Sequence, residues 1–297
     1  MVMPDRNDDR TDGHDRGQLI LIGAITLAFI ILGVVVVFNG VLYTETLSST
    51  ATNQGASDDT TIEAEIEGGI GGIARYGNLA WEADDRSGYE NELEDVIEDD
   101  GGFAEQYLNA TANNRPVVTT VGGATVREDA SAITDAEIGG SNVELVGSER
   151  VGHFALELSQ GGGGEVTIDT ESDSVTIRDD GGTFNVTGLN SCQIHGDEVR
   201  IDLVTGDVNA STDGDCGLDL IDYEATYDTI TVTERLGGVD GRYSLVAKGT
   251  DTVDLSAMPT VSEQHAGAWT VEIEIERDSN DLSYQKTHEF DVYGDGS

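Results

Sequence analysis

The sequence predicts an α+β protein with a single N-terminal transmembrane helix, a helical stalk and an antiparallel β-sandwich-like head outside the cell. Two observations predict this architecture. Residues 19–38 are apolar and carry no charge, and from residue 115 onward apolar and polar residues alternate with the period of two that is typical of strands. We divide the chain into a cytoplasmic leader (1–17), a transmembrane helix (18–42), a helical stalk (43–114) and a β-rich extracellular domain (115–297).

The apolar run 19–38 has the length and composition of a membrane span. At a rise of about 1.5 Å per residue, a helix of about 20 residues crosses the ~30 Å hydrocarbon core of a bilayer. A buried core helix is the alternative, but such helices usually carry a polar stripe, and the only polar side chain here is the Thr26 hydroxyl. We therefore expect the lipid bilayer to be a partner of this chain.

The basic residues near the span predict its orientation. Arg6, Arg10 and Arg16 precede it, and the next basic residue after it is Arg75. Because positive residues close to a span stay in the cytoplasm, the N-terminus is expected inside and the remainder of the chain outside.

The residues at the start of the span carry a resemblance. Arg16, Gly17 and Gln18 stand directly before the apolar run, and no A-x-A cleavage site follows Phe38. The stretch DRGQLILIGAITLAFIILGVVVVFNGVLYTE resembles the N-terminus of haloarchaeal type IV pilin-like proteins. The resemblance implies that a prepilin peptidase cuts between Gly17 and Gln18, that the apolar helix stays in the mature chain, and that other pilin-like subunits are partners.

One position departs from the pilin pattern and shapes the expected function. Pilins commonly have Glu at the fifth mature position, which here is Ile22. We therefore expect a minor pilin or pseudopilin-like subunit rather than a major one, with a monomeric membrane-anchored adhesin or binding module as the alternative. In a filament, small residues would let neighbouring membrane helices approach closely: Gly23, Ala24, Ala28 and Gly33.

The overall composition is strongly acidic. The 297 residues include 58 Asp and Glu against 15 Lys and Arg, which gives a net charge of -43. This charge excludes nucleic acid as a partner, because phosphate binding needs a basic surface. An acidic disordered tail is one explanation, but the acidic residues are interleaved with apolar ones. We therefore favour a folded, halophilic protein, solvated by carboxylates at high salt, which agrees with the archaeal source that the resemblance implies.

The segment after the span has a helical pattern that glycines interrupt. Ile62, Ile66, Ile70 and Ile73 recur at helical spacing, and we predict a break at residues 68–72, where four glycines fall, because each glycine costs a helix about 1 kcal/mol. A second helical segment follows at 89–109, and Gly101 and Gly102 are expected to divide it.

From residue 115 onward, short alternating stretches predict strands separated by Gly and Asp turns. EVTIDTESDSVTIRD is interpreted as a hairpin, and the glycines of 161–164 as a hairpin loop. The predicted strands are VVTTV, ATVRE, NVELV, HFALELS, EVTIDT, SVTIRD, TFNVTG, EVRIDLV, TITVTE, YSLVAK, TVEIEIE and HEFDVYG.

No motif indicates catalysis or a cofactor. G-x-S-x-G, H-E-x-x-H and a P-loop are absent, so we expect no enzyme activity and no cofactor or metal. The histidines beyond the span are expected at strand ends or on the surface: His153, His195, His265 and His288. Carboxylates at 169–173 and 213–215 could offer calcium ligands, but neither stretch completes an EF-hand, and solvated turns are the favoured interpretation.

Two kinds of covalent site are expected outside the cell. Cys192 and Cys216 suit a disulfide there, with two free thiols or a metal as alternatives. Three triplets match the N-glycosylation pattern, at Asn109, Asn185 and Asn209.

Overall fold

The computed structural model describes residues 60–112, 118–138, 149–161, 163–235, 239–250, 264–278 and 283–294. The leader and the apolar run lie outside these ranges, and no helix within them is long and apolar enough to cross a membrane. The chain divides into two compact units, Met1–Ile62 and Glu63–Ser297. The contacts described below belong to the second unit.

Among the described residues, three helices precede the strands: α1 over 60–80, α2 over Arg86–Glu98 and α3 over Phe103–Thr111. Asp85 caps α2, because its side chain accepts a hydrogen bond from the Gly88 amide at 2.8 Å. The predicted division at Gly101 and Gly102 is confirmed, since α2 ends before these residues and α3 begins after them.

The predicted break of the first helix at its glycines is wrong, because α1 continues through them. The missing side chains let aromatic rings lie against the helix. The Phe103 ring occupies the space of a Cβ on Gly69, and the Trp81 ring occupies that of Gly77. Packing of these rings offsets the intrinsic cost of glycine in a helix.

The described strands form two antiparallel sheets, in which the strand order differs from the order along the chain. The first sheet has the order β13-β12-β1-β11-β2-β7, with β9 also paired to β2, and the second has the order β10-β3-β4-β5-β6-β8. The strands are β1 (Val118–Glu137), β2 (Glu149–Ser159), β3 (Glu165–Asp169), β4 (Ser174–Asp179), β5 (Thr183–Thr187), β6 (Ser191–His195), β7 (Glu198–Asp202), β8 (Ser211–Asp213), β9 (Thr226–Tyr227), β10 (Thr231–Arg235), β11 (Asp240–Lys248), β12 (His265–Asp278) and β13 (Ser283–Asp291).

The two sheets share one hydrophobic core, as in a β-sandwich. Phe154, Leu156 and Leu158 of β2 contribute to it from the first sheet, and Phe184 and Ile194 contribute from the second. Alternate residues of β5 and β6 are buried, so their period-two pattern reflects one face in the core and one face toward solvent, whereas residues 153–156 of β2 are all buried. The described chain is thus mostly antiparallel β with a few helices, as the α+β prediction required in its coarser form.

The helices pack on the first sheet, on the side formed by β1, β12 and β13. Helix α2 contacts β1 and β12, and Glu90 of α2 accepts a hydrogen bond from the Val126 amide of β1 at 2.9 Å. Helix α1 reaches β13 through Glu63 to Lys286 at 2.5 Å and Glu67 to His288 at 3.2 Å. The described residues of the segment predicted as a stalk, from residue 63 onward, lie in the same compact unit as the strands.

The predicted hairpin is confirmed, because β3 and β4 pair from Glu165↔Arg178 to Asp169↔Ser174. The loop at 161–164 is not a hairpin loop, since it joins β2 in the first sheet to β3 in the second. Its amides bind a carboxylate instead: Asp179, which is fully buried, accepts hydrogen bonds from Gly161 at 3.0 Å and Gly163 at 3.3 Å. The predicted strand NVELV lies outside the described residues.

Candidate functional site

The residues of the predicted prepilin-type cleavage and of the helix packing lie outside the described part of the chain, and they stay predictions. They are Arg16, Gly17, Gln18, Gly23, Ala24, Ala28 and Gly33.

The structure joins Cys192 and Cys216 in a disulfide, with their Cα atoms 5.0 Å apart. Cys192 lies in β6, and Cys216 lies in the segment that follows β8. Both residues are buried in the core between the sheets. The bond therefore fastens an otherwise irregular segment to the second sheet.

The three glycosylation triplets lie in different settings. Asn109 is exposed in the last turn of α3. Asn185 lies within β5, where its amide donates to Asp180 and accepts from Gln193. Asn209 is exposed, and its side-chain oxygen accepts a hydrogen bond from the Arg200 amide at 2.7 Å.

His153 is not at a strand end or on the surface, which corrects the prediction for this residue. It is 8% exposed within β2, and its Nε2 lies 2.9 Å from the Ser244 hydroxyl of β11. Burial lowers the pKa of His153, Arg200 lowers it further and Asp202 opposes them. Ser244 stands opposite Ala155 in the regular ladder and not on a sharp turn, so the pair is a cross-strand hydrogen bond rather than an activated nucleophile.

Two of the carboxylates that were weighed as calcium ligands contact protein groups. Glu171 accepts hydrogen bonds from the Asp228 and Thr229 amides at 2.6 and 2.7 Å, and Asp213 pairs with His195 at 3.0 Å. Among the described residues, no group of three or more His, Cys, Asp or Glu is arranged to hold a metal ion.

The most distinctive surface feature is a line of alternating charges across four strands of the first sheet. In register, Glu137 of β1 stands opposite Arg242 of β11, Arg242 opposite Glu157 of β2, and Glu157 opposite Arg200 of β7. We call these four residues the charged row. Residues directly opposite one another in adjacent strands project from the same face, so the row alternates acid, base, acid, base.

The side chains of the charged row are accessible. The Glu157 side chain is 61% exposed, that of Arg200 is 49% exposed and that of Arg242 is 53% exposed. Within the row, Arg200 Nη1 lies 3.6 Å from Glu157 Oε1. This separation is near the outer limit for an ion pair, so the Arg200 guanidinium remains available for a further carboxylate.

A strained residue stands beside the row. Asp135 is the one non-glycine residue with positive φ, at 56°, among the described residues, and it lies in a bulge between β1 and β11. The bulge directs its carboxylate to Arg242, whose Nη1 lies 2.6 Å from both oxygens. A hollow of about 240 Å³ adjoins the row, and Leu79 at the end of α1 also lines it.

Sequence reasoning did not find the charged row. Its members are dispersed from residue 137 to residue 242, and each one alone is an ordinary charged residue on the exposed side of a strand. Only the register of non-consecutive strands brings them together, and strand order is not readable from alternation.

A larger cleft, of about 770 Å³, lies at the same end of the head. Glu198, Glu234 and Asp240 line it, together with the four residues of the charged row.

Comparison with protein-family models and with curated protein sequences gives no match to this chain.

Proposed function

We propose that this chain is a pilin-like, membrane-anchored structural protein of the cell surface of a halophilic archaeon, acting as a minor pilin or pseudopilin-like subunit. The observation that carries the proposal is the uncharged apolar run 19–38 placed directly after Arg16, Gly17 and Gln18. Three basic residues before the run and none until Arg75 orient the head outward.

Features of the head support an external location. A disulfide persists in oxidising surroundings and is rare where cytosolic reductants act. A net charge of -43 suits a protein that works where salt screens its self-repulsion. A helix that leads into a β head and packs on it is also the arrangement that the pilin resemblance implies.

The location is tested by expressing the full chain in a halophilic host and treating intact cells with an added protease. We expect the chain in the membrane fraction and its head digested from outside, while a cytoplasmic marker protein stays intact. Recovery of the chain in the soluble cytoplasmic fraction, or a head protected until the cells are lysed, would overturn the proposal.

Assembly is tested at Gly33, where close helix packing would need a small residue. Gly33→Leu is expected to lower the yield of sheared filaments while membrane insertion is unchanged, since leucine is as apolar as the span requires. Ile31→Leu, a volume-conserving change two residues away, is the matched control. Equal filament yield from both variants would contradict the prediction that assembly needs close helix packing at Gly33.

The second candidate function is a monomeric membrane-anchored adhesin or binding module. Ile22 favours it, because the carboxylate that commonly registers pilin subunits is missing. Shearing separates the two functions: a filament subunit appears in the sheared fraction, whereas a monomeric anchored protein stays with the membrane.

A further inference from the structure

We propose that the charged row is a docking surface for a second copy of this chain, which binds it about a two-fold axis. The proposal concerns the head alone. It uses neither the leader nor the membrane span, and so it stands or falls separately from the proposed function.

The order of charges makes the row complementary to itself. When a second row lies antiparallel to the first, Glu137 faces Arg200 of the second copy and Arg242 faces Glu157 of the second copy. The two-fold axis then repeats both contacts, so four new pairs of opposite charge form between the two rows and no like charges of the rows face each other. Such isologous contacts are the commonest way in which identical chains pair.

The charged row differs from most of the acidic surface because half of its residues are arginines. At -43, two copies repel each other over most of their surface, whereas the row places two guanidinium groups among two carboxylates. At about 1 M salt the screening length is only about 3 Å, so repulsion between distant charges is removed while contact pairs persist. High salt therefore favours association at this surface rather than opposing it.

An apolar contact adjoins the charges. Leu79 lies beside Arg200 and Arg242 at the end of α1, and Tyr76, one helical turn earlier on the same side, is 66% exposed. Tyr76 is the most exposed large hydrophobic residue among the described ones. Tyrosine is enriched where protein interfaces gain most of their binding energy, so Tyr76 is the expected anchor of this contact.

The same features argue against other occupants. A uniformly basic surface would meet the row's two arginines, and a uniformly acidic one would meet its two glutamates. Alternating charges at strand spacing match a ligand that alternates in the same way, and a second copy presents that pattern.

The test uses two charge variants of the full chain in detergent, both made in the Gly33→Leu background, so that any association through the membrane helices is the same in the variants and in their parent. Arg200→Glu with Arg242→Glu makes the row wholly acidic, and Glu137→Arg with Glu157→Arg makes it wholly basic. Each variant alone is expected to raise the Kd for self-association at least about tenfold over the Gly33→Leu parent, because like charges then face each other. An equimolar mixture is expected to restore dimers that contain one copy of each.

Sedimentation of differently labelled chains measures these species, and hetero-dimer formation also shows that both variants are folded. Arg178→Glu, an exposed change on the second sheet, is the matched control and should leave the Kd unchanged. Tyr76→Ala should weaken the parent dimer without altering the charges. A parent that stays monomeric, variants that associate as the parent does, or a mixture without hetero-dimers would each overturn the proposal.

Discussion

Asn78 shows how a single polar side chain connects the helices to the sheet. It is 1% exposed on α1, accepts a hydrogen bond from the Ala268 amide at 2.8 Å and donates to the Ala268 carbonyl at 2.8 Å. It also donates to the Tyr293 hydroxyl at 3.2 Å, and burial raises the pKa of Tyr293 to about 12. One asparagine thus satisfies the backbone of β12 where the helix crosses it.

We therefore predict that Asn78→Ala lowers the free energy of unfolding by about 2–4 kcal/mol, because it leaves buried backbone groups of Ala268 without partners. Chemical denaturation at constant salt measures the change. Asn91→Ala, on the exposed side of α2, is the matched control and should shift stability by less than about 0.5 kcal/mol. Equal effects of the two variants would contradict the role of Asn78.

His153 gives a pH dependence of known sign. Its pKa is lowered from the ordinary 6.5, chiefly by burial, so the unfolded state binds a proton that the folded state resists. As the pH falls below about 6.5, His153 becomes protonated in the unfolded state but not in the folded state. The free energy of unfolding of the wild type therefore falls until the pH reaches the pKa of the folded state.

His153→Gln lacks this contribution, and comparing it with the wild type cancels the titration of the many carboxylates. We expect the stability advantage of the wild type over His153→Gln to shrink between about pH 7.5 and pH 5.5. His195→Gln, at the end of β6, is the control that changes a histidine outside the core. An advantage that stays constant or grows on acidification would contradict a buried neutral His153.

At this scale the sequence was only partly informative. Asn78 continues the four-residue spacing of Ile66, Ile70 and Ala74, but the predicted break at 68–72 hid this continuity, and its burial was not predicted. Nor was the burial of His153, because one polar residue within an alternating strand does not reveal whether another layer covers that face.

Helix α1 is the element whose continuity was mispredicted, and its glycines explain why. Intrinsic helix propensity assigns each glycine an unfavourable free energy in a helix, but it does not take into account the aromatic rings that pack against the glycine. Gly72 has open space where a Cβ would stand, whereas a Cβ on Gly77 would lie 2.5 Å from Cε3 of Trp81. A side chain at Gly72 would therefore point into open space, whereas a side chain at Gly77 would displace the Trp81 ring.

Gly72→Ala is expected to stabilise the protein by about 0.5–1 kcal/mol through helix propensity. Gly77→Ala is expected to destabilise it by about 1–3 kcal/mol, because the Trp81 ring must move from its contact with Tyr89, 5.1 Å away between centroids. Denaturation of both variants measures the difference. Changes of the same sign would contradict the packing explanation.

The disulfide stabilises the folded protein because it restricts the conformations of the unfolded chain. Its cysteines are 24 residues apart, a loop for which the expected contribution is about 3 kcal/mol. Cys192→Ser with Cys216→Ser should lose that amount in denaturation experiments, and reductant should lower the stability of the wild type but not of this variant. Separate alkylation of both cysteines in unreduced protein would contradict the bond.

Among the strands, alternation predicted those whose buried positions carry bulky apolar residues, such as β2 and β3. It missed β6, SCQIH, because only Cys192 and Ile194 mark its buried face. It also divided the 20-residue β1, since Gly122 and Gly123 resemble a turn. Sheet order and register depend on contacts distant in sequence, and the charged row depends on both.

For the molecule as a whole, charge sets the conditions for folding. The described cations are largely engaged in ion pairs, such as Lys248 to Glu128 at 2.7 Å and Arg86 to Glu90 at 3.4 Å. With a net charge of -43, the remaining carboxylates repel one another. Their repulsion acts over about 10 Å at 0.1 M salt and about 3 Å at 1 M.

We therefore expect the thermal midpoint to rise steadily as potassium chloride increases from about 0.1 to about 1 M, over the range in which screening shortens. Sucrose at matched osmolality is the control, because it stabilises proteins without screening charge. A midpoint that is flat or falls with salt would contradict the halophilic interpretation.

The anchored, pilin-like organisation is the central claim, and the N-terminus of the mature chain tests it most directly. Intact-mass measurement of the membrane-extracted protein, with sequencing of its N-terminal peptide, shows whether residues 1–17 are removed. We predict a chain that begins at Gln18, and a Gly17→Val variant that keeps its leader. A wild-type chain that begins at Met1 or Val2 would contradict prepilin-type processing and leave an uncleaved signal anchor.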